Sequence, residues 1–141
     1  MSAGKRENRS VPIFPSSDGI RRFLFECYPV RGYIVHLDSS WRAIVEPTDY
    51  PPAVRQILGE AMVSATLLAA TRKFEGMLTL QLQAPGPVHL LVAQCTDRHA
   101  IRGVARYHDL PPDLGAAEVL ERLSGDGRLS VSVESGAQSA R

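Results

Sequence analysis

Over residues 51–74 the apolar side chains fall at Val54, Ile57, Leu58, Ala61, Met62, Ala65, Leu68 and Ala69. Steps of three and four place them on one face of an α-helix. At about 1.5 Å per residue, roughly 24 residues make a rod of about 36 Å, long enough to cross a small domain. The rest of the chain has to be built around that rod. Pro51 and Pro52 suit a first helical turn. Glu46 and Asp49 complement the positive end of the helix dipole, and Arg72 and Lys73 the negative end. Gly76 is the expected stop. Ala61, Ala65, Ala69 and Ala70 leave the rod slim enough for close approach by a neighbour.

Short segments flank the rod. Asp18 is a candidate N-cap for a short helix through Ile20, Phe23 and Leu24, ended by Pro29. Residues 30–37 and 41–45 read as the two strands of a hairpin, with Asp38-Ser39-Ser40 as its turn. After the rod, Leu78, Leu80 and Leu82 alternate with Thr79, Gln81 and Gln83. Ala84-Pro85-Gly86-Pro87 turns the chain, and residues 88–95 return. Residues 101–107 form a third strand, residues 114–123 a short helix, and Leu129, Val131 and Val133 a last strand. Hairpin connections mixed with helices predict an α+β fold with a mostly antiparallel sheet, one long helix and short helices. In the second hairpin the expected register sets Leu82 against His89, Leu80 against Leu91 and Leu78 against Ala93, beneath the rod. The other face then carries Val88, Leu90 and Val92 opposite Gln83, Gln81 and Thr79. Such a half-apolar face calls for a cover. The helix at 114–123 is one candidate cover, a binding partner another.

Composition narrows the function classes. The 141 residues fit one domain, and 44% hydrophobic with 22% charged is ordinary globular content. A formal net charge of +1 points to neither a nucleic-acid nor a membrane partner. No run approaches the roughly 18 apolar residues that a membrane helix needs. Lys5, Arg6 and Arg9 are followed by no apolar stretch of signal-peptide type, so residues 1–17 read as a disordered tail and the chain as cytoplasmic. Residues 135–141 read as a polar tail, which leaves 18–134 as the domain.

Catalytic and metal patterns do not form. Cys27 and Cys95 have no Cys or His at ligand spacing and read as reduced, half-buried thiols, with a disulfide between them as the alternative. His36, His89, His99 and His108 are far apart in sequence. There is no Gly-x-Ser-x-Gly elbow. Gly125-Asp126-Gly127 precedes a strand rather than a helix, so it reads as a turn and not a phosphate loop. Asp38, Glu46, Asp49 and Glu60 read as turn, cap and surface residues. Arg98, Arg102 and Arg106 lack interleaved aromatics and read as a solvated strand face. Neither an enzyme nor a bound cofactor is expected.

One resemblance runs through the domain. Arg22-Phe23-Leu24-Phe25-Glu26 followed by Val30-Arg31-Gly32 resembles the opening of the 33-kDa heat-shock protein family, the redox-regulated holdase chaperones of bacteria. Tyr50-Pro51-Pro52, Leu58-Gly59-Glu60-Ala61, Leu67-Leu68-Ala69-Ala70-Thr71 and Lys73-Phe74-Glu75-Gly76 fit the same family. So do the strand from Leu78 to Gln83, Gly86-Pro87-Val88 and Ile101-Arg102-Gly103-Val104-Ala105-Arg106, with Gly127-Arg128-Leu129 as a weaker end. The resemblance implies an ATP-independent chaperone that holds unfolding proteins under heat and oxidative stress. It implies an α+β N-terminal domain, a linker packed on its sheet, and a C-terminal part holding zinc through a Cys-x-Cys and a Cys-x-x-Cys pair. Neither pair occurs here, and no ligand role passes to Cys27 or Cys95. The expectation is therefore the client-binding portion of such a chaperone without its zinc switch, with unfolded proteins as partners and self-association through an unpaired strand edge. The linker becomes another candidate cover for Val88, Leu90 and Val92, which are the candidate client-binding residues. The alternative expectation is an inactive or self-associating fragment.

Overall fold

The structure is a computed structural model and describes residues 17–136. The expected tails lie outside the described residues, apart from Ser17 at one end and Ser135 and Gly136 at the other. The order is β1 (Gly19–Leu24), β2 (Arg31–His36), α1 (Ser39–Val45), α2 (Pro52–Thr71), β3 (Gly76–Gln83), β4 (Val88–Thr96), β5 (Ile101–Tyr107), α3 (Ala116–Gly125) and β6 (Arg128–Ser135). β1 and β2 form an antiparallel pair of their own, and the other strands form an antiparallel sheet in the order β5-β4-β3-β6. The fold class is α+β, as expected.

The rod is α2, three residues shorter at its C-terminus than the pattern suggested. It stops at Thr71, and Arg72 has extended backbone (φ −121°, ψ 147°). Gly76 does not end the helix; it opens β3 at φ +118°, where a Cβ would collide with the carbonyl oxygen of Glu134. By length and composition α2 could cross a membrane, yet half of that apolar window is buried inside the domain. Its apolar stripe packs on the sheet. Val54, Leu58, Met62 and Ala65 are fully buried, together with Leu78 of β3, Leu91 and Ala93 of β4 and Ala105 of β5. Gly103 lets the helix approach β5, for a Cβ there would meet Met62 and lie 3.3 Å from Cδ1 of Leu58. The buried Thr66 hydroxyl donates to the Met62 carbonyl at 2.8 Å.

The segment before the rod corrects two expectations. Residues 19–24 are a strand, not a helix, and they pair with β2 from Gly19↔His36 to Leu24↔Arg31. The stretch around Trp41 is α1, not a returning strand. Short apolar runs carry too little periodicity to choose between helix and strand, and the choice falls to long-range partners. Asp18 does cap a helix, but a distant one. Its carboxylate accepts from the Asp38 N–H at 2.6 Å, the Ser40 N–H at 3.0 Å and the Ser39 hydroxyl at 2.9 Å, and also from the Ser40 hydroxyl. Burial would raise this carboxyl, but those four hydrogen bonds outweigh it and hold the group at about 2. Trp41 of α1 then lies against α2, its ring 3.4 Å from where a Cβ of Gly59 would stand.

Candidate functional site

The face of the main sheet turned away from α2 is built by strand alternation. In β3, Leu78 and Leu80 point inward while Thr79 and Gln81 point outward. The observed register is Leu82↔Leu91, Leu80↔Ala93 and Leu78↔Cys95, two residues from the one expected. A slip of two preserves the faces. Leu90 and Val92 therefore sit on the outer face, as the sequence indicated, but opposite Gln83 and Gln81 rather than Gln81 and Thr79. They are only partly buried.

Val88 does not join them. The β4–β5 pairing shifts between Val88 and Leu90, running Leu90↔Arg106 but Val88↔Tyr107. The extra residue, His89, is exposed and reverses the alternation. Val88 turns into the core at 3% exposure, among Leu110, Leu114, Val119 and Leu123. Simple period-2 counting cannot see a bulge, and this displaces one of the three candidate residues from the surface. Val104 replaces it. Sequence counting missed this residue because its role depends on β5 lying beside β4, where it pairs with Val92 and is 40% exposed.

The outer patch is thus Leu90, Val92 and Val104 with a polar surround. Gln94 donates to the Thr79 hydroxyl at 2.8 Å and accepts from the Arg102 guanidinium. Arg106 stands exposed on the same face. The helix expected to cover this patch lies elsewhere: α3 packs by Val119 and Leu123 into the core beside α2. Val104 is left 40% exposed, and Leu90 and Val92 partly exposed.

Two further apolar surfaces were not singled out from the sequence. On the β1–β2 hairpin, Leu24, Phe25, Tyr28 and Val30 are at least half exposed, and Phe23 stacks edge-on with Phe25 at 5.8 Å. On β6, Leu129, Val131 and Val133 share the inner face with Leu82, Leu80 and Leu78, yet remain 62%, 50% and 48% exposed. α2 lies over β3, β4 and β5, and β6 extends past its cover.

The residues weighed for chemistry stay apart, with one exception. His89 at the bulge and His108 after β5 bring their Nδ1 atoms to 3.3 Å, a pairing their sequence separation concealed. No third ligand joins them: among the described residues no three His, Cys, Asp or Glu side chains converge. Cys27 is exposed, contrary to the half-buried expectation, and Cys95 is buried, both as free thiols. Burial raises the Cys95 thiol above its ordinary value, an effect that a hydrogen bond with Thr66 partly offsets. The described residues do not fit the zinc centre implied by the resemblance, and no chemistry is derived through it.

A family model described as Hsp33 protein matches residues 18–141. The 33 kDa chaperonin of Aeromonas salmonicida is 44% identical over 118 residues, 84% of this chain and 39% of that protein. Those of Nitrosococcus oceani and Vibrio parahaemolyticus are each 43% identical, over 83% and 82% of this chain and 39% and 38% of theirs. The chain spans about two fifths of the length of the curated relatives it matches.

Proposed function

This chain belongs to the Hsp33 protein family, and on that premise we propose that it acts as an ATP-independent holdase chaperone, binding apolar segments of unfolding proteins in the cytoplasm without catalysing a reaction. The observation that supports this reading best is the outer sheet face. Leu90, Val92 and Val104 form an apolar strip on a rigid sheet, and a fixed sheet face presents such a strip to a client without an ordering cost on its own side. Arg102 and Arg106 border the strip, so clients whose apolar runs are flanked by acidic residues gain from steering.

The same reading proposes that holding by these 141 residues is independent of redox state and of zinc. Their two cysteines are the exposed Cys27 and the buried Cys95, and neither lies in the strip. A buried thiol with a raised pKa has little thiolate and oxidises slowly. The test is light scattering from a thermally unfolding client, with dithiothreitol and with peroxide. Equal suppression is expected in both, weakened several-fold by Val92→Ser with Val104→Ser while the fold persists. Suppression that appears only after peroxide would refute the switchless reading. No suppression in either condition would leave the inactive-fragment reading in its place.

A further inference from the structure

His89 is the extra residue of the β4 bulge, and His108 follows the last residue of β5. Both backbones are pinned. The His89 carbonyl accepts from the Ala84 N–H at 3.2 Å, and the His108 N–H donates to the Pro87 carbonyl at 2.8 Å. Both residues are exposed. Their rings are tilted by 43°, with centroids 5.2 Å apart and Nδ1 atoms 3.3 Å apart. The nitrogens are thus closer together than the rings that carry them, and both Nδ1 atoms face the gap between the rings.

As a hydrogen bond the contact is long, beyond the roughly 2.7–3.2 Å usual for bonds donated by a protein N–H. As a pair of metal ligands it fits. Two imidazole nitrogens bound to one tetrahedral ion at roughly 2.0–2.1 Å stand about 3.3–3.4 Å apart, with ring centroids about 5.1–5.3 Å apart. Both observed separations fall in those ranges. Imidazole suits zinc, copper and nickel, whereas magnesium and calcium prefer oxygen ligands. We propose that His89 and His108 form a two-histidine site for an exchangeable divalent transition-metal ion, bound through both Nδ1 atoms, with zinc the geometric match. Water fills the remaining positions of the ion, so the site is open and labile. The ion joins the β4 bulge to the segment after β5, at the point where Val88 turns into the core. No thiol takes part, and neither histidine belongs to the strip of Leu90, Val92 and Val104. The proposal does not rest on the chaperone reading.

The test is titration of zinc chloride into the full chain carrying Cys27→Ser, which removes the exposed thiol as a competing ligand. Calorimetry should find about one zinc per chain. In imidazole nitrogen NMR spectra His89 and His108 should shift together, while His36 and His99 stay in place. His89→Ala and His108→Ala should each weaken binding about tenfold or more, because a single imidazole loses the gain from two linked ligands. His108→Gln, which keeps a polar side chain of similar reach, should do the same, and His99→Asn should change nothing. Zinc should raise the thermal midpoint of the Cys27→Ser chain, since a ligand that binds the folded state stabilises it, and neither Ala variant should show that rise. Magnesium should have no effect on any of them. Both side chains are exposed, so without metal each variant should unfold at the midpoint of the Cys27→Ser chain. No binding at millimolar zinc overturns the proposal and leaves the pair as a long hydrogen bond. Binding that survives either Ala variant overturns it too, as do shifts confined to one of the two histidines.

Discussion

Val88 and Val92 are the same residue on the same strand, four positions apart, and strict alternation would put them on one face. The bulge at His89 puts them on opposite faces, which a Val→Thr exchange can read. Threonine keeps the shape of valine and adds a hydroxyl, so the change leaves no cavity. Val88 is 3% exposed and its surroundings are Pro85, Pro87, Leu110, Leu114, Val119 and Leu123, with Arg122 nearby but its guanidinium engaged by Glu118 at 2.9 Å. A hydroxyl buried there without a partner costs roughly 1–3 kcal/mol. On the partly exposed outer face, water satisfies the hydroxyl of Val92→Thr, and the expected loss is under about 0.5 kcal/mol. Urea denaturation reports both values, followed by the fluorescence of Trp41, the only tryptophan of the chain. Because Trp41 packs on Gly59 of the core helix, its signal follows the global transition. A difference of about 1–3 kcal/mol should separate the two variants with unchanged denaturant slopes. Equal losses would mean that β4 alternates without interruption, and the reasoning about the bulge would be wrong.

The fully buried Leu58, on the rod's inner face, gives a second expectation: Leu58→Ala should lose about 2–5 kcal/mol. Arg55→Ala, on the exposed side of the same helix, should lose less than about 0.5 kcal/mol in the same denaturation series. A third concerns Asp18, whose carboxyl is lowered from 3.8 to about 2, because the hydrogen bonds from Ser39, Ser40 and Asp38 outweigh the opposing effect of burial. A depressed folded-state value stabilises the fold above the unfolded value and loses that contribution as pH falls through the folded one. The parent should therefore exceed Asp18→Asn by about 1 kcal/mol near neutral pH, a cap-sized effect on a part-exposed group. Below pH 3.8 the gap should narrow and should close near about 2. A gap that stays constant with pH would exclude the carboxylate as its source.

How much of this was legible in advance varied with the length of the pattern. The rod was readable because eight apolar positions in register leave no competing period, and β5 was readable because its run is bounded on both sides. The faces of β3 and β4 survived an error of two residues in pairing, since alternation is insensitive to even slips. The N-terminal segment was not readable. Residues 19–24 and the stretch around Trp41 are each too short for periodicity to decide. Asp18 looked like a local cap while its partners, Ser39 and Ser40, lay twenty residues on.

The residues by themselves determined that α2 would carry the core, that the main sheet would be antiparallel, and that β4 would show apolar side chains on both faces. Tertiary structure alone decided which of these side chains reach the surface. The β-bulge took Val88 inward, the neighbouring strand brought Val104 beside Val92, and α3 docked against α2 and left the outer face partly exposed. The limited reach of α2 across the sheet left Leu129, Val131 and Val133 half exposed on a face that is core elsewhere. The physical reason is one of range. Helical and strand periods are local sums over a few residues, whereas exposure depends on which distant backbone arrives to exclude water, and a sequence pattern does not encode that arrival position by position.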